Sequence, residues 1–203
     1  GDIACIPKKQ KVENPQNIEL LTVRLYAKGV ERTGKYPRET KRGRPYYMRE
    51  LGEILVGRQN FHNGGIGLVG PEENGLICSN AITSLVANEK VDRKFLFYLL
   101  SNNQFRKNIQ KHSEGTGQSE ISEAKILSLE IKIPSLLEQK RISEIISEID
   151  RLLSLFNKKL LKIQFLIDSL KDSISSYDGE QKTLREIIPV INTGVSVNSE
   201  NKK

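Results

Sequence analysis

Apolar and polar positions change period several times along this chain, and the changes mark out its elements. Ile18–Tyr26 (IELLTVRLY) is apolar, β-rich and partly alternating, which predicts a strand. Val30–Pro45 is dense in Gly, Pro and charge and predicts a long loop. Tyr46–Val56 (YYMRELGEILV) fits a strand or a short helix equally well. Asn63–Gly70 (NGGIGLVG) carries four glycines, as tight turns between short strands require. Leu76–Val86 (LICSNAITSLV) is β-rich again. Over Asp92–Lys107 the period becomes helical, with Phe95, Leu96, Leu99, Leu100 and Phe105 on one face. Ser113–Ser119 is a polar loop, and Ile126–Ile133 (ILSLEIKI) alternates as a strand closed by Pro134.

The second half opens on a helix. Ser135 is placed to cap it, with Glu138 three residues on. No Gly or Pro follows until past Ser175. Ile142, Ile149, Phe156, Ile163 and Leu170 recur every seventh residue, and Ile146, Leu153, Leu160, Ile167 and Ile174 form a parallel series. Ile145, Leu152 and Leu166 widen the stripe. Such a helix outruns the domain before it, so its stripe calls for a partner helix; packing lengthwise on its own domain is the alternative.

These elements imply an α+β fold: a mixed α/β domain over 1–134, a long coiled-coil-forming helix over 135–177, and a new start at 178–203. Thr183–Gly194 (TLREIIPVINTG) is apolar, with a Pro and a Gly. The chain opens at Gly1 rather than Met, as a fragment would.

Charge alters the picture through its location. Of the formal +7, most lies in residues 1–60, where 13 Lys and Arg face 7 Asp and Glu. Thr22–Arg49 holds Arg24, Lys28, Arg32, Lys35, Arg38, Lys41, Arg42, Arg44 and Arg49 against Glu31 and Glu39. A patch of this kind suits a polyanion, because neutralised phosphates release counterions; an ordinary solvated loop is the bland alternative. Arg forks onto guanine, Asn and Gln onto adenine, and Lys suits phosphate. The candidate nucleic-acid contacts are therefore Arg24, Arg32, Lys35, Tyr36, Arg38, Lys41, Arg42, Arg44, Arg58, Asn60 and Gln118. Tyr36, Tyr46 and Tyr47 interleave with the bases, where a core or anchoring role competes with stacking.

Catalytic sets are not evident. His62 and His112 lack ligand spacing, and Cys5 and Cys78 form no CxxC, so two reduced thiols and no structural metal are expected. No phosphate-cradling glycine motif opens a helix, and Gly64–Gly67 fits a turn. Acidic residues are dispersed, which argues against a nuclease centre. No apolar run reaches membrane-spanning length and no signal-peptide pattern is present, so a cytoplasmic protein is expected.

Three stretches then carry a resemblance. Ile131-Lys132-Ile133-Pro134-Ser135-Leu136-Leu137-Glu138-Gln139-Lys140-Arg141-Ile142 resembles the region of type I restriction-modification specificity subunits that ends a target-recognition domain and starts a long helix. Asp150 falls where that family commonly has an acidic residue. Val91-Asp92 with Phe95-Leu96-Tyr98-Leu99-Leu100 resembles the family's upstream helix, and Gly115-Thr116-Gly117-Gln118 with Ile121 resembles its glycine stretch. The resemblance implies a non-catalytic subunit that reads half of a bipartite double-stranded DNA site. It implies paired helices that set the gap between half-sites and dock methyltransferase subunits. S-adenosylmethionine, ATP and Mg would be bound by those and by a restriction subunit, not by this chain. One domain and one helix stand where the family has two of each, so a cut subunit and a half-subunit that pairs with a second copy are both open. Alternatives are a coiled-coil interaction protein outside restriction, or a nuclease or methyltransferase with a coiled-coil appendage.

Overall fold

In the computed structural model, residues 2–38, 44–111, 120–182 and 184–187 are described. Chain contacts divide it into two compact units, Gly1–Arg151 and Leu152–Lys203. The first unit is built on a four-stranded antiparallel sheet. It comprises β1 (Ala4–Cys5), β5 (Ile54–Gly57), β6 (Ile66–Leu68) and β8 (Ile82–Ala87), in the order β1-β8-β5-β6. Two hairpin-like pairs complete the strands: β2 (Leu21–Val23) with β3 (Val30–Arg32), and β4 (Tyr46–Met48) with β7 (Ile77–Ser79), both antiparallel.

Strand β5 explains the ambiguity of Tyr46–Val56. Ile54, Leu55 and Val56 are all fully buried. Ile54 and Val56 join the core formed with Phe61, Ile66, Leu85, Phe95, Leu96, Leu100 and Ile126. Leu55 faces the opposite way, into a smaller core with Leu21, Val69 and Cys78. A strand covered on both faces loses alternation and reads as a plain apolar run. The sequence window is thus two strands, β4 and β5, with a turn between them.

Three further expectations are corrected. The Ile18–Tyr26 strand shortens to Leu21–Val23, because Tyr26 and Ala27 turn the chain with φ of 61° and 54°. The loop expected at Val30–Pro45 starts with β3. The single helix over Asp92–Lys107 is two, α1 (Arg93–Ser101) and α2 (Asn103–Lys111). Asn102 breaks them with extended backbone, and its side chain accepts the Phe105 N–H at 3.0 Å, the bond of a helix cap.

Ile126–Ile133 makes no strand. Ser122 accepts the Lys125 N–H at 3.1 Å and starts a short helix, α3 (Glu123–Leu127), whose Ile126 is buried in the main core. Beyond it Leu129, Ile131 and Ile133 are half-buried while Ser128, Glu130 and Lys132 are exposed. The two-residue period is real but reports which side faces the core, not a ladder of hydrogen bonds. A groove of about 460 Å³, lined by Ala4, Leu85, Leu96, Leu100, Leu127 and Ile131 among others, lies along this segment.

The long helix is α4 (Leu136–Ser175), 40 residues or about 60 Å at 1.5 Å per residue. Its first turns belong to the first unit. Ser135 caps it as expected, with the Glu138 N–H reaching the Ser135 hydroxyl at 3.4 Å. Gln139, 1% exposed, donates to the Pro134 carbonyl at 2.9 Å and accepts the Asp92 N–H at 2.8 Å. Asp92 in turn caps α1 through the Phe95 N–H and accepts from the Ser143 hydroxyl. Tyr98 donates to Asp150 at 2.9 Å and lies within hydrogen-bond distance of the Ser147 hydroxyl, two turns and one turn further along. Two separated motifs of the sequence, at Val91-Asp92 and Glu138-Gln139, are therefore one hydrogen-bonded joint.

Candidate nucleic-acid interface

The basic segment is laid out along the β2–β3 hairpin and the chain that follows it. Val23 pairs with Val30, and the Arg24 N–H bonds the Gly29 carbonyl at 2.9 Å. The hairpin tip, Leu25–Lys28, turns through Tyr26 and Ala27, both left-handed. Asn and Gly usually occupy such positions, because an L side chain there costs about 1–3 kcal/mol. Here the turn is held from outside. The Tyr26 N–H bonds the Asn63 carbonyl at 2.7 Å and the Ala27 N–H bonds the Gly64 carbonyl at 2.8 Å.

This contact explains the glycine cluster at 64–67. A Cβ on Gly64 would stand 2.8 Å from the Ala27 nitrogen and 3.1 Å from the Tyr26 Cα. A Cβ on Gly67 would meet the Gly29 and Val30 backbone at 2.6 Å. The glycines let the hairpin backbone lie directly on β6 and the turn before it. They are seats for a hairpin, in keeping with the structural reading of the cluster.

The candidate residues fall into distinct settings. Tyr36, Arg38 and Arg44 are exposed, with Pro37 buried between the first two and fixing the chain to the surface. Lys35 is exposed, and its backbone carbonyl accepts the Leu20 N–H at 2.8 Å. Asn60 is exposed and its carbonyl closes the turn that carries Gly65. Arg24 lies 3.5 Å from Glu31, with both side chains about half exposed. Lys41, Arg42 and Gln118 lie outside the described residues.

Besides Arg24, two candidates are engaged by carboxylates more closely. Arg32 reaches Glu19 at 2.6 Å, and the hydrogen bond from Arg32, with a second from the Gly34 N–H, holds the Glu19 carboxyl below its usual range. The same bond raises Arg32. Arg58 is 3.0 Å from Glu120 and 4.0 Å from Glu123. Glu123 also pairs with Lys9 at 2.8 Å, which with the Thr83 hydroxyl keeps its carboxyl low. Arg32 and Arg58 are therefore braced, whereas Arg38 and Arg44 are exposed and have no carboxylate partner among the described residues.

On α4, Ile142 is half-buried and packs on the main core. Ile149, Phe156, Ile163 and Leu170 are each about half or more exposed. Among the described residues no group of three or more His, Cys, Asp or Glu is placed to hold a metal ion. Among them, too, no helix is long and apolar enough to cross a membrane. Cys5 is exposed and Cys78 buried, both as free thiols.

Sequence reasoning missed Tyr26, 74% exposed on its left-handed turn. Nothing in the string marks it, since a bulky residue at such a position is an exception to the usual turn chemistry.

Comparison with known proteins places these features. The specificity subunit of the type I restriction enzyme MjaVIII from Methanocaldococcus jannaschii is 30% identical over 124 residues, covering 59% of this chain and 29% of that protein. A MjaX specificity subunit from the same organism, itself described as putative, is 30% identical over 119 residues, 56% of this chain and 28% of that one. The chain thus corresponds to less than a third of the length of these curated relatives. Among solved structures, the HsdS subunit from Thermoanaerobacter tengcongensis matches with a TM-score of 0.56 at 16% identity, over 88% of this chain and 49% of that one. A chain from a study of type I R-M complex assembly and conformational transition matches at 0.55 and 17%, over 90% and 50%. These likenesses show a shared α+β fold with a long helix. The model of the type I restriction modification DNA specificity domain matches residues 5–164, most of the sequence, and this chain belongs to that family.

Proposed function

We propose that this chain reads one half of a bipartite duplex DNA target and directs methylation and cleavage by partner subunits, without chemistry of its own. The supporting observation is that Arg24, Lys28, Arg32, Lys35, Arg38 and Arg44 are exposed on a domain of the specificity family. In this reading residues 1–134 contact DNA, 135–177 form the spacer and docking helix, and 178–203 open a second domain or complete a partner's. The methyltransferase subunits bind S-adenosylmethionine, and the restriction subunit brings ATP and Mg. The exposed apolar row of α4 pairs with a second helix, from another copy or from the rest of a longer subunit. Braced Arg32 and Arg58 shape the surface, while Arg38, Lys41, Arg42 and Arg44 meet phosphates and base edges.

The test is duplex DNA binding by the 203-residue chain across a salt series. Log affinity should fall linearly with log salt. Replacing Arg38 and Arg44 by Ala should weaken binding and reduce the slope by about 2, near 0.9 for each phosphate no longer neutralised. No retention of duplex at about 50 mM salt, alone or with its methyltransferase subunits, overturns the reading.

A further inference from the structure

The β2–β3 hairpin tip is hydrogen-bonded in place, strained and exposed at once. Its backbone is seated on the Asn63 and Gly64 carbonyls, and Gly64 leaves no room for the tip to shift inward. Two successive residues adopt the left-handed region without being Gly or Asn. A left-handed turn is satisfied most cheaply by Asn-Gly, so Tyr at the apex is explained by what its side chain meets. Among the described residues that side chain makes no hydrogen bond or ring contact, and the residue is 74% exposed. Arg24 and Lys28 flank it, both exposed. An aromatic ring with a hydroxyl, between two cations on a fixed turn, fits a surface of anionic backbone and flat, hydrogen-bonding bases.

We infer that Tyr26 is a base-contacting residue, presented to duplex DNA by the strained tip, with Lys28 and Arg24 on the neighbouring phosphates. This rests on the proposed DNA-reading function. It adds a contact from a hairpin tip outside the basic loop that follows β3. The strain has a use here: a turn built of Asn and Gly would be more stable but would present no ring.

The test enriches duplexes from a random-sequence pool with the wild-type chain, then measures affinity for an enriched duplex and for a scrambled one. Tyr26→Asn keeps the left-handed turn and removes the ring. It should melt at the wild-type temperature or a few degrees above, lose about tenfold or more in affinity for the enriched duplex, and lose most of the preference over the scrambled one. Lys28→Ala should weaken both duplexes alike. Ala27→Gly relieves the same strain with the ring in place, so it should bind like wild type. If Tyr26→Asn keeps both affinity and preference, the inference is overturned and the DNA-reading function stands. A lower melting temperature for Tyr26→Asn also overturns it, since the ring is then a structural contact. If the wild-type chain enriches no duplex, the function itself fails and Tyr26 falls with it.

Discussion

The body of the first unit and the long helix treat apolar side chains in opposite ways. Around β5 the large apolar groups of the core are covered: Ile54, Leu55, Val56, Ile66 and Ile77 are fully buried. Along α4, Phe156, Leu160, Ile163 and Leu170 are each more than half exposed in spite of a sustained heptad pattern. One region has its partners within the chain, and the other leaves its apolar row uncovered among the described residues. A stripe of this length would be unusual on a helix working alone. On the proposed function its exposure bears on assembly, while the burial around β5 bears on folding.

The largest effects should separate these two regions cleanly. Ile54→Ala removes a side chain wholly enclosed in the main core and should cost about 2–5 kcal/mol of stability in chemical denaturation. Phe156→Ala should leave the stability of the dissociated chain within about 0.5 kcal/mol, because its ring already stands in solvent. In sedimentation the same substitution should weaken helix-mediated association tenfold or more, since burying an aromatic side chain is worth about 1.5–3 kcal/mol. If Phe156→Ala instead destabilises the dissociated chain as much as Ile54→Ala, the helix face is covered internally and the contrast disappears.

A smaller effect sits at the joint. Gln139 is buried on α4 and satisfies both the Asp92 N–H and the Pro134 carbonyl. Gln139→Ala leaves these two backbone groups unpaired and should cost about 2–4 kcal/mol. That is about 1–2 kcal/mol for each, in the lower part of the range for an orphaned group, because both bonds are only part-buried. Gln139→Glu keeps the acceptor and loses the donor, so it should fall between Ala and wild type. Equal stability of wild type and Gln139→Ala would show that the joint carries no energy. The first turns of α4 would then be as open as its remainder.

How much of this was legible in the sequence follows from what each pattern reports. The α4 heptads and the Ser135 cap could be read directly, because a long helix depends on local spacing. The α+β class followed from the change of period at Asp92. Strand β5 was obscured because burial on both faces erases alternation. Ile126–Ile133 misled for the complementary reason, since its alternation records a half-buried segment that lacks a ladder. The site was less readable than the fold. Arg24, Arg38 and Arg44 stood out as charge, but charge alone does not show that Glu19 engages Arg32 or that Glu120 engages Arg58. Those pairs join residues 13 and 62 positions apart, and the second meets where the Ile121 N–H bonds the Arg58 carbonyl at 3.0 Å. Tyr26 had no signal, because its exposure depends on a turn that its own side chain disfavours.

The smallest effect probes the closed interior without a substitution in the core. Cys5 lies on the edge strand β1 and is exposed, while Cys78 sits on β7 with no accessible surface. The Cys78 thiol donates to the Leu21 carbonyl at 3.2 Å, and burial pushes its pKa up to about 11. The thiolate is the nucleophile that attacks a thiol-specific reagent. At pH 8 burial therefore suppresses Cys78 both by access and by protonation. One thiol should react at once in the native protein and the second only with denaturant. Raising the pH toward 9 should not release the second, because the enclosure of Cys78 persists. Two fast thiols at pH 8 would mean that β7 opens readily. The small core holding Leu21 against Cys78 would then no longer anchor the hairpin base.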